Sequence, residues 1–125
     1  MADANGAWYS EGDVLFERGR FAEALAAFRC AYLADRSDHF ALMAMANSAS
    51  ELGQARRAAR YLKLALRLVP DDATLWFNLG NALFDIGDYQ AALQAYARVP
   101  ADNPAGAAAK RNAALAASRL AVARR

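Results

Sequence analysis

The chain repeats itself at an interval of 34 residues: Gly19, Gly53 and Gly87 stand that far apart, and so do Ala24, Ala58 and Ala92. Phe28, Leu62 and Tyr96 form a third column, Trp8, Leu42 and Trp76 a fourth, and Gly12, Ala46 and Gly80 a fifth. Ala31, Ala65 and Val99 complete the set. These columns divide the chain into units at 5–38, 39–72 and 73–106. A period of this length means one supersecondary motif per unit. Each motif cannot bury its apolar face alone and stacks on its neighbours to make a continuous core.

The columns say what the motif is. The apolar fraction is 57%, but Ala dominates it and β-branched residues are scarce, which favours helix over strand. Small residues in the Gly12 and Ala24 columns let two antiparallel helices approach closely, and the Trp, Leu, Phe and Tyr columns fill the space beside that contact. Gly19, Gly53 and Gly87 fall between two helical patterns, where a C-terminal cap wants positive φ. The residues that follow ("GRFAEAL", "GQARRAA", "GDYQAAL") restart the helical period. The expected fold is all-α: a solenoid of three helix–turn–helix units. Pro100 should end the third unit's second helix about a turn early. An Ala-rich stretch over 105–125 should form a C-terminal capping helix, with Asn103 as N-cap and Pro104 in its first turn.

Trp76, Leu79, Gly80, Gly87, Tyr89, Ala92, Tyr96 and Pro104 together resemble the tetratricopeptide repeat, and the resemblance covers residues 5–106. Three departures stand out. Glu11 occupies a place where Leu is expected, tolerable if no unit precedes it. Arg36 replaces a closing Pro, and Ala55 an aromatic. The resemblance implies a protein-interaction module in which the first helix of each unit lines a concave groove. Read by column, that groove carries Tyr9, Met43 and Phe77, then Asp13, Asn47 and Asn81, then Phe16, Ser50 and Phe84, with Phe40 and Asn78 flanking. Glu17, Glu51 and Asp85 edge it. Asn both donates and accepts, so a row of them can pair with the backbone of an extended peptide whatever its sequence. Aromatic and Met side chains add affinity without strict shape demands. One subtype of the family grips a terminal carboxylate with Lys, Arg and Asn. Those places here hold Tyr9, Asp13, Ala44, Thr74 and Asn78, so that clamp is missing.

A second feature is a cationic stripe. Arg56, Arg60, Lys63 and Arg67 share one helical face, with Arg57 alongside, and no acid occurs from Gln54 to Pro70. It reads as a solvated convex face or a contact for an acidic partner, such as another copy's groove. Nucleic acid is a weaker reading, because no stacking aromatics are interleaved with the charges.

Catalytic chemistry is not visible. His39 has no ligand partners at metal spacing, Cys30 reads as a small apolar residue, and the "DDAT" at 71–74 reads as helix-capping carboxylates. No phosphate loop is present and no cofactor is expected, so a non-enzyme is predicted. The formal charge of +2 selects no partner. "MADANGAWYS" has neither the basic nor the apolar region of a secretory signal, and no apolar run reaches a membrane span. A cytoplasmic location without membrane insertion is expected, and the start at Met1 with a final capping helix argues for a complete unit. The partner is expected to be a protein or extended peptide. Architecture also resembles the class II type III secretion chaperones of bacteria, which hold a translocator segment in such a groove. A self-assembling homo-oligomeric scaffold is the structural alternative.

Overall fold

The structure is a computed structural model and describes residues 3–124. Its helices are α1 (Ala4–Glu17), α2 (Phe21–Ala34), α3 (His39–Glu51), α4 (Ala55–Leu68), α5 (Ala73–Ile86), α6 (Tyr89–Tyr96) and α7 (Gly106–Ala123), with no strand among the described residues. Each helix packs on the next in the chain. The three pairs α1–α2, α3–α4 and α5–α6 therefore stack in order and share one core.

Local chemistry sets the helix boundaries. Asp3, Asp38 and Asp72 stand immediately before α1, α3 and α5, and each carboxylate accepts from a backbone N–H three residues on, at 3.0–3.1 Å. Those N–H groups have no partner inside the helix, so the caps offset their desolvation. Asp88 does the same for α6 at 3.2 Å. Between the helices of each pair the chain turns through Gly19 (φ 75°), Gly53 (φ 75°) and Gly87 (φ 91°). This is left-handed backbone that a Cβ would strain. The N–H that follows each glycine reaches back to Leu15, Ala49 and Leu83 at 2.8–3.0 Å, closing the end of the first helix.

Small residues in the first helix of a pair lie under large ones in the second. An added Cβ at Gly12 would sit 2.5 Å from the Phe28 ring, and one at Gly80 would sit 2.5 Å from the Tyr96 ring. In the middle unit the same two positions are Ala46 and Leu62, both buried. A smaller ring-free partner leaves room for one methyl. Ala24, Ala58 and Ala92 are fully buried, as the close approach of the pair requires.

The start of the array explains Glu11. It is exposed, whereas its counterparts Met45 and Leu79 are buried at 3% and 4%. Trp8 is 41% exposed for the same reason. Trp76, with a unit before it, donates its indole N–H to the Pro70 carbonyl at 2.7 Å and carries the Arg98 guanidinium 4.5 Å from its ring. Asn5 ties α1 to the end of α2 and to the cap of α3 by donating to the Ala31 carbonyl (3.0 Å) and to Asp38 (2.9 Å).

The third unit is shorter, as Pro100 implies: α6 ends at Tyr96. The expected start of the last helix is corrected. Its N-cap is Ala105, with no side-chain bond. Asn103 instead accepts from the Ala105 N–H at 2.9 Å in a turn that also contains Pro104. An Asx turn two residues before the helix uses the Asn side chain that a cap would have used.

Gly12→Ala tests the close approach. Helix propensity alone favours Ala by about 1 kcal/mol, yet the clash with Phe28 should give a net loss of roughly 1–2 kcal/mol in urea denaturation. Adding Phe28→Leu, which reproduces the Ala–Leu pair of the middle unit, should cost less than the sum of the two single changes. Strict additivity would show that the two residues do not share the space.

Candidate binding groove

The first helices of the units and α7 form one face. The candidate residues of α1, α3 and α5 differ in their surroundings. Asn47 is exposed and Asn78 half-buried, and neither side chain makes a hydrogen bond. Met43 and Phe77 are half-buried against the core. Phe40 is 55% exposed and lies 4.2 Å from the His39 ring. These side chains present amide and apolar surface together.

Several other candidates are engaged within the fold. Tyr9 packs edge-on to Phe28, centroids 5.3 Å apart. Burial, then the nearby carboxylates of Asp13 and Asp38, push its phenol pKa up. Phe16 packs edge-on to Phe21 at 5.0 Å, and Phe84 to Tyr89 at 5.2 Å. Asp13 is exposed beside Glu17, and its carboxyl is raised above the usual range by partial burial and then by that neighbouring charge.

Asn81 departs from the expectation of a free row of amides. Its Oδ1 accepts from the Tyr96 hydroxyl at 2.6 Å and from Asn112 Nδ2 at 3.1 Å. The second partner comes from α7, whose part in this face the sequence reading missed. A cavity of about 340 Å³ opens here between α5 and α7, lined by Asn81, Phe84, Asp85, Tyr96, Asn112 and Leu115. Arg119 of α7 lies 5.3 Å from the Phe84 ring. Burial of Tyr96, opposed by the nearby Asn112 amide and reinforced by Asp85, pushes its phenol up to about 12.

Glu17, Glu51 and Asp85 are exposed, and so are Arg56, Arg60, Lys63 and Arg67 on α4. The acidic edge and the basic stripe were expected on opposite faces, yet they meet. Asp85 shares a depression of about 550 Å³ with Arg56, Arg57 and Arg60 at the turns that end α3 and α5. Arg56, Arg60 and Lys63 line a further one with Leu83, Ile86 and Asp88. Among the described residues the one ion pair is Arg20–Glu23, at 2.7 Å, so the α4 cations are not neutralised by contact. Arg57 is tethered, donating to the Tyr61 hydroxyl at 2.8 Å and to Gln54 at 3.1 Å. Cys30 is half-buried. No three His, Cys, Asp or Glu side chains among the described residues converge as a metal site. No described helix is long and apolar enough to cross a membrane.

Paired helices stacked in order define an α-solenoid. The model of the tetratricopeptide repeat matches residues 2–39 and 43–107, and the chain belongs to that family. No curated protein matches it in sequence. Similar solved structures include the Sgt2 TPR domain from Aspergillus fumigatus, 25% identical with a TM-score of 0.83, covering 96% of this chain and 81% of that one. The first TPR of Spaghetti (RPAP3), bound to the HSP90 peptide SRMEEVD, is 19% identical with a TM-score of 0.88, covering 97% and 96%. The Yersinia enterocolitica type III secretion chaperone SycD, in complex with a peptide of the translocator YopD, is 15% identical with a TM-score of 0.83, covering 95% and 94%.

Two measurements separate structural from free groups on this face. Asn81→Ala leaves a buried hydroxyl and an amide without their acceptor. It should lower unfolding free energy by roughly 1–3 kcal/mol, whereas Asn47→Ala should change it by less than about 0.5 kcal/mol. Equal effects would contradict this division. In an alkaline titration followed by phenolate absorbance, Tyr96 should ionise last, near 12. An unfolded tyrosine ionises near 10, so the folded state holds the proton more tightly. This contribution is intact below about pH 10 and is lost as pH rises toward about 12. Tyr96→Phe should remove that late step.

Proposed function

We propose that the protein binds an extended segment of a partner protein along the face of α1, α3 and α5. The observation that carries this reading is the pair of uncommitted amides, Asn47 and Asn78, set among the half-buried Met43, Phe77 and Tyr9. An amide offers both halves of a backbone hydrogen bond, and the apolar neighbours exclude water from it. Peptide complexes of Spaghetti and SycD, which share this fold, support the reading. Tyr9, Asp13, Ala44, Thr74 and Asn78 supply no cation where carboxylate-gripping members of the family carry one. The recognised segment is therefore internal, not a chain end held by its carboxylate. Asn81 is removed from the proposed contact set, because Tyr96 and Asn112 already occupy its oxygen. Phe16 and Phe84 shape the walls, and Phe40 extends the apolar surface at the start of α3.

The test begins with crosslinking of the protein to its partners in host lysate, followed by synthesis of the crosslinked segment. Asn47→Ala/Asn78→Ala should weaken binding of that peptide roughly five- to hundred-fold, the loss of two net hydrogen bonds, with the unfolding midpoint unchanged. Undiminished affinity would place the contact elsewhere. A captured segment with hydrophobic Pro and Leu anchors would favour a secretion chaperone, and a basic polar one a general adaptor.

A further inference from the structure

The helix α7 does more than close the core. Its buried Ala109 and Ala116 and half-buried Ala113 lie one repeat on from Leu75, Leu79 and Ala82 of α5. The helix therefore stands in the register of a fourth unit's first helix. Its Asn112 reaches Asn81, its Leu115 lines the cavity beside Phe84, and its Arg119 lies over the Phe84 ring. Arg111, Leu115 and Arg119 are spaced by four, so they share the side of α7 that looks along the groove.

Charge changes sign along that groove. The acidic column runs Glu17, Glu51 and Asp85 on α1, α3 and α5, and the residue one repeat beyond is Arg119. The column of Tyr9, Met43 and Phe77 continues to Arg111. No acid occurs anywhere in α7, and Arg111 and Arg119 are exposed, with no ion pair to another described residue. At the opposite end Asp13 and Glu17 lie together, also without one.

We infer that the groove recognises a dipolar extended segment, with basic side chains over α1 and α3 and acidic side chains over α7. This rests on the groove reading above and adds the partner's charge order. Four first-type helices span three repeats of the stack, roughly 30 Å at about one helix diameter per repeat. An extended chain covers about 3.3 Å per residue, so the two charged ends lie about nine residues apart. The cavity of about 340 Å³ at the α5–α7 seam takes a side chain just before the acidic end.

Four fluorescent ten-residue peptides with a common Leu/Asn/Ser centre test this: Lys-Lys first and Glu-Glu last, the reverse order, Lys-Lys at both ends, and Glu-Glu at both ends. One of the two dipolar peptides should bind roughly three- to ten-fold tighter than either uniform one, and strong salt should erase the difference. Arg111→Glu/Arg119→Glu changes two exposed residues. It should shift the preference to the peptide with Lys-Lys at both ends while the thermal midpoint stays unchanged. If all four bind alike and Asn47→Ala/Asn78→Ala weakens their binding with the unfolding midpoint unchanged, the groove stands and the charge order is overturned. An unaltered preference in the α7 variant likewise overturns it. Binding by none of the four overturns both readings.

Discussion

The contact on which the rest depends is the seat of one large side chain on one small residue inside each helix pair. Phe28 on Gly12 and Tyr96 on Gly80 leave no room for a Cβ, and that absence fixes how near the second helix lies to the first. Interiors are packed at crystal density, so a helix spacing set at one layer propagates to the next. Ala46 under Leu62 shows that the pair is conserved in volume and not in chemistry: one methyl gained below is matched by a ring lost above. Because every unit repeats the same spacing, the stack needs no contacts between distant parts of the chain. Each helix packs on the one before it and the one after, and α5 also touches α7.

That arrangement divides the surface of every first helix. One side meets its own second helix, another meets the preceding unit, and the remainder faces solvent as a row of columns. The columns have unequal freedom because their neighbours differ. Asn47 is exposed and Met43 only half-buried, so both keep surface for a partner. Phe16 and Phe84 stand near the intra-unit turn, where Phe21 and Tyr89, the first residues of the second helices, cover an edge of each ring. Column position alone therefore does not separate a ligand contact from a wall. The identity of the residue that starts the next helix does.

The fold was legible because a period of identical small residues has few physical causes, and each column pointed to one helix–helix contact. The turn glycines, the early end of α6 before Pro100 and the exposure of Glu11 all followed from local rules. What remained hidden was the place of α7. Its core positions are Ala109, Ala113 and Ala116 where α5 has Leu75, Leu79 and Ala82, so the apolar signal is too weak to show a fourth register by eye. A count of one repeat on from the buried positions of α5 would have found it. The engagement of Asn81 was hidden for the same reason, since its second partner, Asn112, becomes a neighbour only once α7 is placed. The turn at Asn103 is a further case: Asn satisfies an N-cap and an Asx turn equally well, and Pro104 fits both.

The place of α7 in the register of a first-type helix has a consequence for recognition. Had the stack ended on α6, the face of α5 would border solvent, and Asn81 and Phe84 would form an open edge. With α7 in place, that edge becomes a seam with a cavity, and α7 supplies the adjoining wall of the groove. Helix α7 carries Arg111 one repeat beyond Phe77 and Arg119 one repeat beyond Asp85. It can place cations at the corresponding positions without disturbing the core, because a solvent-facing Arg pays little desolvation and lays its stem on apolar surface, as Arg119 does on Phe84. The charge reversal at the end of the groove thus arises where the fold constrains sequence least. Sites of this kind, adjacent to a rigid repeat but outside its packing columns, are where one member of a shared fold can acquire a partner of its own.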